Sequence, residues 1–241
     1  MLATRSFCTL DAGIPVRVPA LPPLELYKAS LRRQVHALGP QSVLDVGCGD
    51  GSLLLELAFS GFGPCTGVEL FESDVALLRA NGLDVVQGQA EALPFDTGSY
   101  DLVIFEHVIC HVRDAAVALR EAARVARRAV LVLDPWYDIG VASQRTARDL
   151  HACLAAAGGS TLPWTLRSTA QLAALFLEQG DLEVDYSQQL VLRDMPVSRV
   201  EALVEPHLGR PNNGDPIQAR LRSFLTRAEG GISEEGAILL T

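Results

Sequence analysis

The stretch Val43-Leu-Asp-Val-Gly-Cys-Gly-Asp-Gly51 places one carboxylate, Asp45, just ahead of three glycines at alternate positions, Gly47, Gly49 and Gly51. A branched apolar run that breaks into such glycines reads as a β-strand entering a tight turn. Glycine takes left-handed backbone without steric cost and lets the main chain approach a ligand closely. The segment after the turn opens a helix, whose free N–H groups favour a polar or charged group at that end. Glu69 closes the next apolar run, where a carboxylate can accept hydrogen bonds from both hydroxyls of a ribose. Leu70 and Phe71 follow as apolar candidates for one face of a nucleobase. Gln89, Ala90 and Glu91, after the third apolar run, are polar and small groups suited to a base edge. The glycine spacing is not the G-x-G-x-x-G that cradles a pyrophosphate, and Asp45 would repel one; a ligand bearing an ammonium fits better. At the end of the fourth apolar run stand Glu106, His107 and His111. Four residues apart, the two histidines would share a face if helical, and either could exchange a proton with an acceptor. Either could equally bond nearby backbone or cap the following helix. No third ligand is placed by motif, so no metal is expected.

The elements that must position these residues alternate. A helix over LELYKASLRRQVHAL stops at Gly39-Pro40. Strands SVLDVG, CTGVEL, LDVVQG, SYDLVIFEH and AVLVLD are then separated by helices over GSLLLELAFSG, ESDVALLRANG and RDAAVALREAARVARR. This alternation predicts βαβ units and an α/β, doubly wound, mostly parallel sheet. Beyond Asp134 come Pro135-Trp136-Tyr137 and a helix in VASQRTARDLHACLAAAGG. Another helix, STAQLAALFLEQG, runs from a Ser168 cap to a Gly180 stop. A strand in LEVDYSQQLVLRD, helices near 197–207 and 216–229, and a last strand GAILLT complete the chain. Seven strands with helical insertions near the C-terminus are therefore expected, the insertions lying over a site. The whole chain, 1–241, reads as one domain. It has a Pro-rich arm (1–24), a cofactor-binding half (41–135) and a substrate-covering, sheet-completing half (136–241).

Taken together, Asp45-Val46-Gly47-Cys48-Gly49-Asp50-Gly51, then Glu69, then QAEALPF, then SYDLVIFEHVICHV resemble the class I S-adenosylmethionine-dependent methyltransferases, in their small-molecule branch with an AExLPF signature. The resemblance covers about residues 40–135. It implies that Gly47, Cys48 and Gly49 contact the methionine part of S-adenosyl-L-methionine through backbone, and that Asp45 orders the loop or meets the ammonium. Glu69 would hold the ribose and Leu70 would pack on adenine, with Gln89, Ala90 and Glu91 at the adenine edge. Phe105, Glu106 and His107 would run past the sulfonium, and His111 matches a histidine common in the family. Two departures are visible. Gln89 stands where the family usually has Asp, and ARRAVLVLD lacks the usual Pro-Gly-Gly turn. FEHV fills the place of an Asn/Asp-Pro-Pro-aromatic motif, which argues against amino-methylation of nucleic acid or glutamine. The implied function is methyl transfer to a small-molecule acceptor, oxygen first, nitrogen or carbon next. The alternatives are a macromolecule (protein or RNA) methyltransferase of the same fold and a non-catalytic S-adenosylmethionine-binding protein, with a dehydrogenase using NAD a distant third.

The bulk numbers agree. Of 241 residues 49% are apolar and 20% charged, and the formal net charge is −9, so no general grip on nucleic acid or anionic membrane is expected. Five cysteines without CxxC spacing read as reduced thiols of a cytoplasmic protein, Cys48 being a small packing residue rather than a nucleophile. No apolar run approaches the roughly 20 residues of a membrane helix. On the helical insertion, Arg145, Arg148 and His151 would meet an acidic acceptor or form a solvated face. Trp136 and Tyr137 would line an acceptor pocket or pack in the core, and Tyr27 of the first helix would close the other side of the cofactor.

Overall fold

A computed structural model describes residues 23–137, 140–158, 165, 167, 169–178, 186–189, 195–208, 215–227, 232 and 236–240. The chain opens with α1 (Pro23–Leu38) and β1 (Val43–Val46). It continues through α2 (Ser52–Phe59), β2 (Cys65–Glu69), α3 (Glu72–Ala80), β3 (Val85–Gln87), β4 (Tyr100–Glu106), α4 (Ala115–Val125) and β5 (Ala126–Trp136). Then follow α5 (Ala142–Ala157), α6 (Thr169–Leu177), β6 (Tyr186–Gln189), α7 (Val197–Val204) with a 3-10 turn at Glu205–His207, α8 (Pro216–Arg227) and β7 (Gly236–Leu240). The strands form one seven-stranded sheet in the order β3-β2-β1-β4-β5-β7-β6. β1 to β5 are parallel, and β7 runs against both β5 and β6. The expected mostly parallel seven-stranded sheet is therefore present.

Alternation along the strands sorts the core onto two faces. Leu44, Val46, Val103, Phe105, Val130 and Val132 meet Ala118, Leu119, Ala122 and Val125 of α4. Val43, Leu102, Ile104, Leu131 and Leu133 meet Leu31 and Val35 of α1 and Leu53 and Leu57 of α2. Each such burial contributes about 1.5–3 kcal/mol, so the apolar stripes decide which helix covers which face. A separate cluster, including Leu150, Val200, Leu221 and Phe224, joins α5, α7 and α8 as a cap.

One expectation needs adjustment. The helix read as running to Arg128 ends at Val125, and Ala126 to Arg128 begin β5 instead. The reason is local. Gly98 donates to the Arg124 carbonyl, and Arg127 Nε lies 3.0 Å from Asp101, which pulls this stretch into register beside β4. The long strand expected in LEVDYSQQLVLRD is described only over Tyr186–Gln189. Of the arm expected over 1–24, Pro23 and Leu24 begin α1 and the rest lies outside the described residues, as do the Ser168 cap, the Gly180 stop and the side chain of Tyr27.

Candidate cofactor crevice

From β1 the chain moves outward to β2 and β3, then returns to β4 and β5 on the other side. Reversals of this kind open a crevice beyond the strand tips, here between β1 and β4. Val46, the last residue of β1, lies opposite both Val68 and Phe105, which places the glycine turn, Glu69 and Glu106 side by side at one rim.

The turn explains its glycines. Gly47, Gly49 and Gly51 have φ of 71°, 53° and 76°. A Cβ on Gly47 would stand 2.6 Å from Val108 Cγ2, and one on Gly51 would stand 2.4 Å from Leu83 Cδ1. Gly49 has nothing within 4 Å of the equivalent point and lies open. The N–H groups of Gly47 and Cys48 both donate to the Val68 carbonyl, at 2.7 and 3.1 Å, while that of Gly49 donates to Glu69 Oε2 at 3.0 Å. These donors are engaged in holding the turn against β2. A phosphate would need them free. A cation instead meets the oxygens that surround them.

Those oxygens are mostly carboxylate. Asp45 is buried, and burial pushes its carboxyl up to about 8, helped by the neighbouring charges of Glu106, Glu69 and Asp50 and opposed by Lys28. Asp50 accepts from the Ser52 N–H at 3.0 Å, and that bond holds its carboxyl below the usual range. Glu69 bridges strand and turn, its Oε1 accepting from the Leu70 N–H at 2.7 Å. Glu106, at the tip of β4, meets Lys28 Nζ of α1 at 3.3 Å. Cys48 is buried against Gly67, and burial raises its thiol to about 12, which fits a packing residue.

The other expected residues divide. Leu70 is half-buried at the rim and Phe71 is exposed; the Gln87 amide donates to the Leu70 carbonyl at 3.2 Å. Gln89 is exposed and pairs with Ala92, while Ala90 packs on the α4-side core. Glu91 turns to the start of α4 and accepts from the N–H groups of Arg113 (2.9 Å) and Asp114 (3.3 Å), so it braces the loop. The Phe105 side chain is fully buried in that same core and only its backbone reaches the rim. His107 takes a left-handed φ of 58°, its N–H donating to the Leu133 carbonyl at 2.7 Å. His111 is half-buried, and its N–H donates to the Val108 carbonyl. The residues between the two histidines form turns, so the shared helical face that their spacing suggested does not exist.

This loop is held from two sides. Asp134, at the end of β5, is buried and its carboxyl is pushed up to about 7 by that burial, against the pull of Arg167 and of the Ile109 and Cys110 N–H groups. From above, the Thr165 N–H donates to the Cys110 carbonyl at 2.7 Å and Arg167 to the Ile109 carbonyl at 3.0 Å. Past the end of β5, Tyr137 is buried in the cap cluster, with its hydroxyl bonded to His151 Nδ1, and Trp136 packs on the sheet. Arg148 pairs with Asp149 at 2.8 Å and Arg145 is exposed. Lys28 and Arg167 were not singled out from the sequence. Lys28 had a signal: with Leu31 and Val35 it lies on the stripe of α1 that faces the sheet. Arg167 had none. Among the described residues no three His, Cys, Asp or Glu side chains gather as a metal site, and no helix is long and apolar enough to cross a membrane.

With this geometry in place, comparison with known proteins is informative. Residues 44–133 match the family described as "Methyltransferase domain". Ajmaline N-methyltransferase of Rauvolfia serpentina is 32% identical over 104 residues, 39% of this chain and 35% of that one. Ubiquinone biosynthesis O-methyltransferase of Bordetella parapertussis is 32% identical over 115 residues, 45% of this chain and 46% of that one. The chain thus covers about a third to a half of these relatives' lengths. The uncharacterized methyltransferase YcgJ of Bacillus subtilis is 29% identical over 213 residues, 76% of this chain and 82% of that one. The YcgJ crystal structure is similar in fold, with a TM-score of 0.54 at 21% identity over 88% of this chain and 97% of that one.

Proposed function

We propose that the chain, whose residues 44–133 match a methyltransferase domain, is a class I S-adenosylmethionine-dependent methyltransferase that moves a methyl group from S-adenosyl-L-methionine to a small-molecule acceptor, oxygen first, nitrogen or carbon next. The observation that carries this reading is the crevice itself: a glycine turn with its N–H donors engaged, ringed by Asp45, Asp50, Glu69 and Glu106. A nucleoside with a sulfonium and an ammonium suits that ring, whereas the pyrophosphate of NAD does not.

S-adenosylmethionine supplies a methyl group already activated on a cationic sulfur. What remains for the protein is to bind, align and exclude water. Gly49 leaves room for the amino-acid tail, Asp45 is placed to meet its ammonium, and Glu106 at the tip of β4 runs past the sulfonium. Glu69 keeps lone pairs free for the ribose hydroxyls beside the bonds it already accepts. Leu70 packs on the base, Gln89 and Ala90 lie at its edge, and Glu91, placed at that edge too, fixes the loop that carries them. His107 and His111 stand on the loop past β4, where a base can take the proton of a hydroxyl acceptor. The small-molecule acceptor is supported by the named relatives, one an N-methyltransferase and one an O-methyltransferase.

Calorimetry with S-adenosylhomocysteine and with NAD tests the reading. The nucleoside thioether should bind and NAD should not. Glu69→Ala should weaken binding by about 1–3 kcal/mol, the cost of leaving ribose hydroxyls unpaired. Tighter binding of NAD, or an affinity that Glu69→Ala leaves unchanged, would overturn it.

A further inference from the structure

Lys28 is a basic residue of the crevice, paired with Glu106. Its neighbours on the same stripe of α1, Leu31 and Val35, are buried against the sheet, so core packing fixes where Lys28 can reach. Its ammonium lies 3.3 Å from Glu106 Oε1, and the two side chains are only 25% and 15% exposed. Among the described residues this is the ion pair formed by any of the four crevice carboxylates. Its influence is not confined to Glu106, for it also acts on Asp45 and Asp50.

We propose that Lys28 is a specificity-determining residue: it serves as the resident counter-ion of Glu106 while no sulfonium is present, and so sets how strongly the crevice prefers the charged methyl donor over the neutral thioether product. This role rests on the reading of the crevice as the S-adenosylmethionine site. The physical basis is that donor and product differ by one methyl group and one positive charge at the same sulfur. The ammonium and carboxylate of the tail are common to both. A fixed positive charge near Glu106 lowers the attraction for the sulfonium and leaves the thioether almost unaffected. When the methyl leaves, the sulfur becomes neutral, Glu106 loses that attraction, and Lys28 is within reach to take it back. The same lysine then moderates donor binding while leaving the product's affinity almost unchanged.

The ratio of the two affinities isolates this effect. Calorimetry should compare S-adenosylmethionine and S-adenosylhomocysteine on the wild-type chain, Lys28→Met, Lys28→Arg and Glu106→Gln. Lys28→Met should raise the preference for the donor by about tenfold while moving thioether affinity by no more than about twofold. Lys28→Arg, which keeps the charge, should leave the preference near the wild-type value. Glu106→Gln should lower it. If Lys28→Met weakens both ligands by the same factor, the lysine binds the shared tail carboxylate and the proposal fails. An unmoved ratio in a wild-type chain that binds both ligands removes the role of Lys28 alone. A wild-type chain that binds neither overturns the reading of the crevice and this role with it.

Discussion

Asp45 stands where a strand tip, a glycine turn and three other carboxylates meet, and its protonation follows from that crowding. Its carboxyl is raised to about 8 by burial and by Glu106, Glu69 and Asp50, so Asp45 favours its protonated form at pH 7. A cationic ligand favours the ionised form and expels the proton. Binding of S-adenosylmethionine at pH 7 should therefore release protons, visible as a calorimetric enthalpy that changes with the ionisation heat of the buffer. Affinity should rise from pH 6 to pH 8 and level off above. Asp45→Asn should abolish both effects; a wild-type enthalpy independent of buffer would contradict the assignment. The stability consequence has a definite sign. A carboxyl raised in the folded state contributes stability below its unfolded value, near 3.8, and loses it as pH climbs through the folded value. Asp45 and Asp134 (about 7) thus both make the fold less stable toward pH 8. At this scale the sequence exposed what lies in the motif. Asp45, the glycines and Glu69 are legible because their neighbours along the chain define them. Lys28 and Arg167 come from elements remote in sequence, and only the packing of α1 and the path before α6 bring them to the rim.

The elements themselves were more legible than their ends. Periodicity of two or of 3.6 identifies β1 to β5 and α1 to α4, since each apolar stripe has one face to bury. The boundary between α4 and β5 is not in the pattern, because Ala-Arg-Arg suits a helix intrinsically, and it is Asp101 of the neighbouring strand that draws Arg127 into the sheet. The other end of α4 is set locally. Asp114 caps it, its carboxylate accepting from the Val117 N–H at 3.1 Å, while Glu91 accepts from the Arg113 and Asp114 N–H groups just before the helix. One helix terminus is thereby tied to the loop proposed to carry the base edge. Asp114→Ala should cost about 0.5–2 kcal/mol in urea unfolding, as helix caps do. Because the cap also steadies the Glu91 contacts, thioether affinity should drop a few-fold in the same variant. If stability falls while affinity is untouched, the loop is held by Glu121 and Arg124 without help from the cap.

At the scale of the molecule, two bodies of apolar packing divide the work. The sheet with α1, α2 and α4 forms the clusters under the crevice, and these lie within or beside the matched span 44–133. The cap of α5, α7 and α8 has a cluster of its own. Its helices were legible as amphipathic segments, but what they cover was not, because an apolar stripe states that a helix is buried without stating against which partner. The division predicts separable behaviour. Phe224 is 2% exposed at the centre of the cap cluster, and its removal leaves a cavity that should cost about 3–5 kcal/mol. Phe224→Ala should lower the melting temperature and speed hydrogen exchange across α5, α7 and α8. The β1–β4 rim should keep its protection, and thioether affinity should stay within about threefold of wild type, since none of its proposed contacts comes from the cap. Equal loss of protection in both bodies would mean that cap and sheet unfold as one cooperative unit. The crevice would then depend on α5, α7 and α8 for its shape.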